Sequence, residues 1–498
     1  MSSLSLRILC AFVLSLSLNL LGVAAFDISL YDNVAVYWGQ DSYGATHTYA
    51  AQQPISYYCQ DDAIDVIPIA FVDTFFGTGG LPELNLANTC NATVNGYYSG
   101  TELLNCTYLA SDIEYCQSQG KAVTISLGGA GGGVGFSNDS EAQTFADTIW
   151  NTFLGGSSST RPFGSAVLDG VDLDIEGGST TGYAAFVTQL RTYFTGASKQ
   201  YYVSAAPQCV YPDAYIGLAL DDAYFDAVYV QFYNNPCGLQ NFDDASGWNF
   251  GIWDIWARTI SPNPNVKVYI GAPASSTAAG TGYQNISTLS SIAITTRNSF
   301  PSFGGVMLWD ASQAYENDRY DLAIKNALVG AGATGFTYPA CSAPAWESGV
   351  GYSGGSQVSY NGYIWEAKYY ASDEPSNNAN GDWNPISACT GTAPSSTASG
   401  TSATASQTGT SGGSCAGIAE WSSSVAYTGG EQVQYNGELW TAQYWTEGDT
   451  PGGTAGVWTL VGPCTSSSSS TAAAAVAARA TPAPELKSAN SNSRFFRL

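Results

Sequence analysis

The sequence predicts an α/β protein, a (β/α)8 TIM barrel over 26–340 followed by two small disulfide-stapled β modules at 341–389 and 415–464. Three observations carry this reading. Eight short apolar runs alternate with helical patterns in the first two thirds of the chain. A segment near the C-terminus repeats itself at an offset of 75 residues, with a cysteine at each end of each copy. Between the copies, 390–414 is almost entirely Ser, Thr, Gly and Ala. Near-continuous apolar strands with helical crossovers indicate a parallel sheet covered on both faces, and eight such units favour closure over a doubly wound open sheet.

In chain order, residues 1–25 carry Arg7, an apolar stretch and the small-residue site Val23-Ala24-Ala25, the pattern of a cleaved secretory leader. The barrel strands are expected at Val34–Trp38, Ile64–Val72, Ala122–Leu127, Val167–Ile175, Tyr202–Ala206, Ala227–Phe232, Val266–Gly271 and Gly305–Trp309. Helical patterns lie between them, for example at Tyr108–Gln117, Ala142–Phe153, Gly182–Phe194 and Tyr320–Leu328. The repeats share Trp346/Trp421, Tyr352/Tyr427, Tyr360/Tyr435, Trp365/Trp440 and Trp383/Trp458, and Asn361-Gly362 and Asn436-Gly437 signal hairpins. So small a unit has little core, and a disulfide is the expected staple. Residues 390–414 read as a flexible linker and 465–498 as a low-complexity tail.

Composition excludes several classes of function. Lys plus Arg total 15 against 40 Asp plus Glu, a net charge of −25. Nucleic acid and anionic membrane surfaces need a basic footprint that is missing here. The one histidine, His47, argues against a Ser-His or Cys-His nucleophile and against a poly-His metal site; no metal or cofactor is called for. Eleven cysteines, of which only Cys10 lies in the leader, and Asn-X-Ser/Thr sites at Asn91, Asn105, Asn138 and Asn285 fit a secreted glycoprotein, extracellular or wall-associated. The first four of the remaining cysteines (Cys59, Cys90, Cys106, Cys116) admit three pairings; Cys209 with Cys237, Cys341 with Cys389 and Cys415 with Cys464 are local groups. Nothing demands more than a monomer. The stretch Gly128–Gly133 lacks the Lys-Ser/Thr of a phosphate loop and reads as a tight loop.

The chemistry sits on the fourth strand, VLDGVDLDIEGG. Asp172, Asp174 and Glu176 occupy i, i+2 and i+4, so the three carboxylates share a face, while Val171, Leu173 and Ile175 face the helices. Crowded, buried acids raise at least one pKa, as a general acid near neutral pH requires. Glu176 lies at the carboxyl end, where barrels place active sites. Asp169 falls outside this parity and is expected to be structural.

Residues 26–340 resemble glycoside hydrolase family 18, most closely its hevamine-type class III fungal chitinases. The resemblance rests on DGVDLDIE and on VYWGQ (Val36–Gln40), SLGG (Ser126–Gly129), SAAPQC (Ser204–Cys209), VQFYNNPC (Val230–Cys237) and VMLWD (Val306–Asp310). It implies endo-hydrolysis of the β-1,4 N-acetylglucosamine linkages of chitin. The substrate's own acetamido carbonyl attacks the anomeric carbon, Glu176 acts as acid and then base, and Asp174 orients the acetamido group with Asp172 behind it. It further implies Tyr233 as a donor to the acetamido oxygen and Trp309 as the floor under the sugar. Ser126 supports the acids, and Tyr37, Gln40, Gln208, Gln231 and Asn234 are candidate sugar contacts. Cys59–Cys116, Cys90–Cys106 and Cys209–Cys237 are the implied disulfides. An endo-β-N-acetylglucosaminidase on glycoprotein glycans and a non-catalytic chitin-binding lectin are the alternatives. The repeats resemble carbohydrate-binding family 5/12, with chitin and its oligomers as partner. Units this small cannot bury all their rings, so Trp365, Tyr369, Tyr370, Trp440, Tyr444 and Trp445 are the candidate binding aromatics.

Overall fold

The computed structural model describes residues 25–47, 52–131, 134–390, 415, 418–423, 425–427, 431–442, 446–453 and 456–464. The leader, most of the linker, the tail and the pair Tyr444-Trp445 lie outside the described residues. Eight parallel strands form the barrel: β1 Asn33–Val36, β2 Val66–Thr74, β3 Ala122–Gly129, β4 Gly170–Ile175, β5 Tyr202–Ala205, β6 Ala227–Gln231, β7 Lys267–Pro273 and β8 Phe303–Trp309. Each pairs with the next, and β8 pairs with β1, so the sheet closes on itself. Each of the eight expected runs overlaps one of these strands. Around them lie α1 Ala110–Ser118, α2 Asp139–Phe153, α3 Tyr183–Phe194, α4 Gly217–Asp222, α5 Phe250–Thr259, α6 Ile286–Ser299, α7 Ala311–Glu316 and α8 Tyr320–Ala331. Among its described residues, the connection from β1 to β2 carries a single 3-10 turn, Ile55–Cys59. Asn138, Asn285 and Asp310 cap α2, α6 and α7, each accepting a hydrogen bond from a backbone N–H three residues on.

Strand parity sorts the core into two shells. Val171, Leu173 and Ile175 face outward into the large cluster shared with the helices. Inside the barrel, Ala35, Tyr37, Ala122, Tyr229, Tyr269 and Met307 form a second, smaller cluster. The amino-terminal end of the barrel is braced by a recurrent device. Asp65, Asp169 and Asp226 stand just before β2, β4 and β6. Each accepts the N–H of a residue on the preceding strand (Val34, Val123 and Val203, at 2.7, 2.8 and 2.7 Å). Each also pairs with a cation, Lys325, Lys199 and Arg191 respectively, at 2.7 to 2.9 Å. Asp169 is therefore one of three equivalent braces.

Five disulfides join Cys59 to Cys116, Cys90 to Cys106, Cys209 to Cys237, Cys341 to Cys389 and Cys415 to Cys464. The first module is a three-stranded antiparallel sheet, β9 Gln357–Tyr360, β10 Tyr363–Ala367 and β11 Trp383–Ala388. The second copy repeats its geometry. Trp346 meets Tyr360, and Trp421 meets Tyr435, at 5.4 Å between ring centres in both. The same bulge interrupts the pairing at Ile364/Trp365 and at Leu439/Trp440.

The first module packs directly against the barrel. It is seated on α5. Asp254, fully buried, accepts hydrogen bonds from Ser302 N–H (3.0 Å) and Ser302 Oγ (2.6 Å) in the barrel and from Tyr363 Oη (2.7 Å) in the module. Arg258 donates to Tyr363 Oη at 2.6 Å. Gly251 allows the close approach: a Cβ there would lie 2.0 Å from the carbonyl oxygen of Pro385. Removing one donor from a buried charge costs about 1.5–3 kcal/mol. Tyr363→Phe should therefore lower the stability of the barrel by that amount in chemical denaturation, and Gly251→Val should lower it as well by levering β11 off α5. Unchanged unfolding midpoints for both would show that the module contributes nothing to the barrel.

Candidate active site

Strand β4 runs from the interior of the barrel to its mouth, and its three acids climb with it. Asp172 is 0% exposed, Asp174 5%, and Glu176 is half-buried at the opening. Register places Ser126 of β3 and Ser204 of β5 on either side of Asp172. Both hydroxyls donate to it, Ser126 Oγ to Oδ2 at 2.6 Å and Ser204 Oγ to Oδ1 at 2.7 Å. Tyr37 Oη, just past β1, donates to Oδ2 at 2.6 Å. Burial raises the Asp172 carboxyl, and the three hydroxyls oppose this by stabilising its anion. Burial and that neighbouring charge in turn hold the Tyr37 phenol far above its ordinary range, so it stays a donor.

One layer up, Gln231 Nε2 of β6 donates to Asp174 Oδ1 (2.9 Å) and to the Ala206 carbonyl (2.9 Å). The same amide reaches Glu176 Oε1 at 3.4 Å, so the two carboxyls are neighbours. Burial first, then the charges of Glu176 and Asp172, push Asp174 well above the usual carboxylate range. Glu176 is raised by burial, against hydrogen bonds from Gln231 and Asp174 that lower it. Both carboxyls of the pair are thus shifted upward, with Glu176 the more exposed of the two at the barrel mouth. Gly128 makes room for this wall: its φ is +114°, and a Cβ there would sit 2.1 Å from the Asp174 carbonyl oxygen.

Tyr233, two residues beyond the end of β6, is 8% exposed. Burial, then Asp174, Glu176 and Asp172, keep its phenol protonated. Trp309, half-buried at the end of β8, lies 5.7 Å from Tyr37 and stacks on Phe71 at 5.8 Å. Its carbonyl accepts from Ala274 N–H. The expected residues Asp172, Asp174, Glu176, Ser126, Tyr37, Gln231, Tyr233 and Trp309 therefore converge on one cleft. Gln40 spends its amide on the carbonyls of Ala70 and Asn85. Gln208 bridges Gln231 through the backbone, and Asn234 accepts from Gly280 and Thr281 N–H, pinning a loop. His47 stacks on Tyr43, outside this group.

Three residues of the site were not foreseen. Phe71 faces inward beside Ala70 because a bulge shifts the register between Ala70 and Val72, which breaks the alternation that parity relies on. Ser204 is the β5 counterpart of Ser126, and its parity was readable. Asp213 lies on a loop, where no periodicity exists. It accepts three backbone N–H bonds, from Gln208, Tyr215 and Ile216, and its charge raises both Asp174 and Glu176. In the modules, Tyr369 and Tyr370 are 62% and 69% exposed. Trp365 is not on a binding face: it is 3% exposed, packed in the core and donating to the Tyr360 carbonyl. A sheet of three short strands needs one large ring to close it. Trp440 is half-buried against the equivalent cluster.

The two raised carboxyls also set a pH dependence. A carboxyl whose folded pKa exceeds its unfolded one adds stability below the unfolded value, and this is lost as pH rises through the folded value. At pH above the carboxylate range Asp174→Asn and Glu176→Gln should thus melt at higher temperature than the native chain, by the equivalent of about 1–2 kcal/mol. The gap should close as pH falls through the raised values; a gap that widens in acid would contradict the assignment.

Comparison with known proteins agrees with this geometry. The profile for glycosyl hydrolases family 18 matches residues 33–301, and that for carbohydrate-binding module family 5/12 matches 420–459. The chain is 47% identical over 327 residues to a protein named chitinase 1 of Rhizopus niveus, covering 64% of this chain and 63% of that one. It is 45% identical over 323 residues to an endochitinase of Saccharomyces cerevisiae, covering 64% of this chain and 54% of that one. The crystal structure of a chitinase from Ipomoea carnea superposes with a TM-score of 0.50 at 35% identity, over 59% of this chain and 99% of that one. The matched region thus spans between about half and two thirds of the length of these curated relatives. With its family profile covering more than half of the sequence, the chain belongs to glycosyl hydrolases family 18.

Proposed function

We propose that the chain is a secreted endochitinase that cleaves β-1,4 N-acetylglucosamine linkages with retention, using the substrate's own acetamido group as nucleophile. The observation that carries this is the placement of Asp174 and Glu176 on one face at the end of β4, where a single donor, Gln231 Nε2, reaches both at 2.9 and 3.4 Å. A retaining pair of carboxylates must flank the sugar, with the two groups about 5–5.5 Å apart. Two acids reached by one amide at the end of one strand leave no room for a ring between them, so the nucleophile comes from the substrate. Glu176 faces the cleft with its pKa raised and protonates the leaving oxygen. Asp174 receives the acetamido N–H and faces the developing positive charge, backed by the charge on Asp172. Tyr233, kept protonated, donates to the acetamido oxygen. Trp309 and Phe71 form the apolar floor under the pyranose.

Five disulfides suit an oxidising compartment, in line with the leader-like N-terminal sequence. The exposed Tyr369-Tyr370 pair and the second module serve as chitin contacts, and two such contacts on one chain raise local concentration at an insoluble polymer.

The native chain should release soluble oligomers from colloidal chitin, and Glu176→Gln should release them about 10²- to 10⁴-fold more slowly. Equal release by both would discard the mechanism; release by neither, with adsorption retained, would point to a lectin. Tyr369→Ala with Tyr370→Ala should reduce the fraction bound to insoluble chitin in a pull-down while hydrolysis of soluble oligomers stays at the native rate.

A further inference from the structure

The segment that follows β5 holds Gln231 by three hydrogen bonds. Gln231 N–H donates to the Pro207 carbonyl at 2.8 Å, the Gln231 carbonyl accepts Cys209 N–H at 3.3 Å, and Gln231 Nε2 donates to the Ala206 carbonyl at 2.9 Å. The same Nε2 reaches Asp174 Oδ1 at 2.9 Å and Glu176 Oε1 at 3.4 Å. Where residues 206–209 lie therefore sets where one donor meets two acids. That segment is pinned twice. The Cys209 carbonyl accepts from Asn249 Nδ2 at 2.7 Å and Trp253 Nε1 at 3.2 Å, and its side chain is bridged to Cys237. The second pin is Asp213, on the loop between β5 and α4, whose Oδ2 accepts Gln208 N–H at 2.9 Å.

Asp213 differs from the braces at the other end of the barrel. Its Oδ1 accepts the N–H of Tyr215 and of Ile216, both at 2.8 Å, in an Asx turn leading into α4. It is 6% exposed, yet no cation pairs with it among the described residues, whereas Asp65, Asp169 and Asp226 each have one. All three of its partners are donors. That suits the anion, since a protonated carboxyl would need an acceptor for its own hydrogen. The other groups around the acid pair are Asp172 below it on the same strand and the phenols of Tyr37 and Tyr233, both kept protonated. Burial raises Glu176 most, and the charge of Asp213 raises it further.

We propose that Asp213 is a positioning residue of the reaction: it anchors the segment that carries Gln231 and, as an unpaired buried anion in the field of Asp174 and Glu176, holds Glu176 as the acid that the leaving oxygen needs. This rests on the hydrolytic reading above, in which Glu176 gives up a proton.

The test is kcat/KM against pH for a soluble N-acetylglucosamine oligomer, because its limbs report the essential groups of the free enzyme. The alkaline limb follows loss of the Glu176 proton. Removing a negative charge near a carboxyl lowers its pKa, so the limb should move toward acid. In Asp213→Asn and in Asp213→Ser it should move to lower pH by about half to one unit. The serine keeps an acceptor for the turn into α4, which protects folding where the asparagine does not. Asp213→Glu keeps the charge and should leave the limb at its native position. A limb that stays in place in the neutral variants, even where thermal unfolding shows them destabilised, overturns the proposal and leaves Asp213 a loop anchor. A limb that moves as far in Asp213→Glu overturns it too, because the charge is then not the cause. If the native chain cleaves no oligomer, the reading of the reaction falls, and this role with it.

Discussion

The site depends on a carboxyl held at the centre of the barrel. Asp172 has no exposed surface, and a bare carboxylate there would be prohibitive. Three hydroxyls, one from each neighbouring strand and one from the end of β1, make the charge tolerable. Everything above it follows. Burial first, and then the neighbouring acids, keep the phenols of Tyr37 and Tyr233 protonated, and burial with the charges of Glu176 and Asp172 pushes Asp174 upward. It also explains why the adjoining positions are small or hydroxylated, since Gly128, Ser126 and Ser204 leave the acids both room and donors. A barrel filled with branched apolar side chains at this layer could not present a protonated acid at its mouth.

The opposite end of the barrel uses the same residue type for a different purpose. Asp65, Asp169 and Asp226 each close an open strand end and take a cation, so their charges are spent on geometry. Asp213 joins the two uses: it is anchored like a brace, by three backbone donors, yet its field reaches Asp174 and Glu176. A net charge of −25 thus contains separate populations: acids that shape the barrel, acids that tune one another, and a surface that suits a neutral substrate.

Much of this was legible in the sequence because strand periodicity is local. The eight strands, the shared face of Asp172, Asp174 and Glu176, and the outward turn of Val171, Leu173 and Ile175 all follow from alternation. What escaped notice lay where alternation fails. Phe71 sits at a bulge and Asp213 on a loop. The burial of Trp365 escaped for another reason: a count of rings says that some must be exposed without saying which. The seating of the first module on α5 depends on a pairing across 109 residues of sequence, Tyr363 with Asp254, which no local pattern announces.

That pairing also separates the two repeats. At the offset of 75, Tyr363 corresponds to Glu438, Pro385 to Leu460 and Ile386 to Val461. The ring contacts and the bulge that build each sheet are kept in both copies, so the fold of the unit does not require the tyrosine. What differs is the face that in the first copy meets the barrel. The second copy has a glutamate where the first reaches Asp254, and a like charge brought to a buried carboxylate would be repelled, not bonded. Its Leu460 and Val461 are each 48% exposed. The first copy therefore carries the residues of a fixed part of the barrel and the second carries none of them. The two units are thus alike in the ring contacts and the bulge that build each sheet, and they differ at the three positions that in the first copy lie on the barrel side.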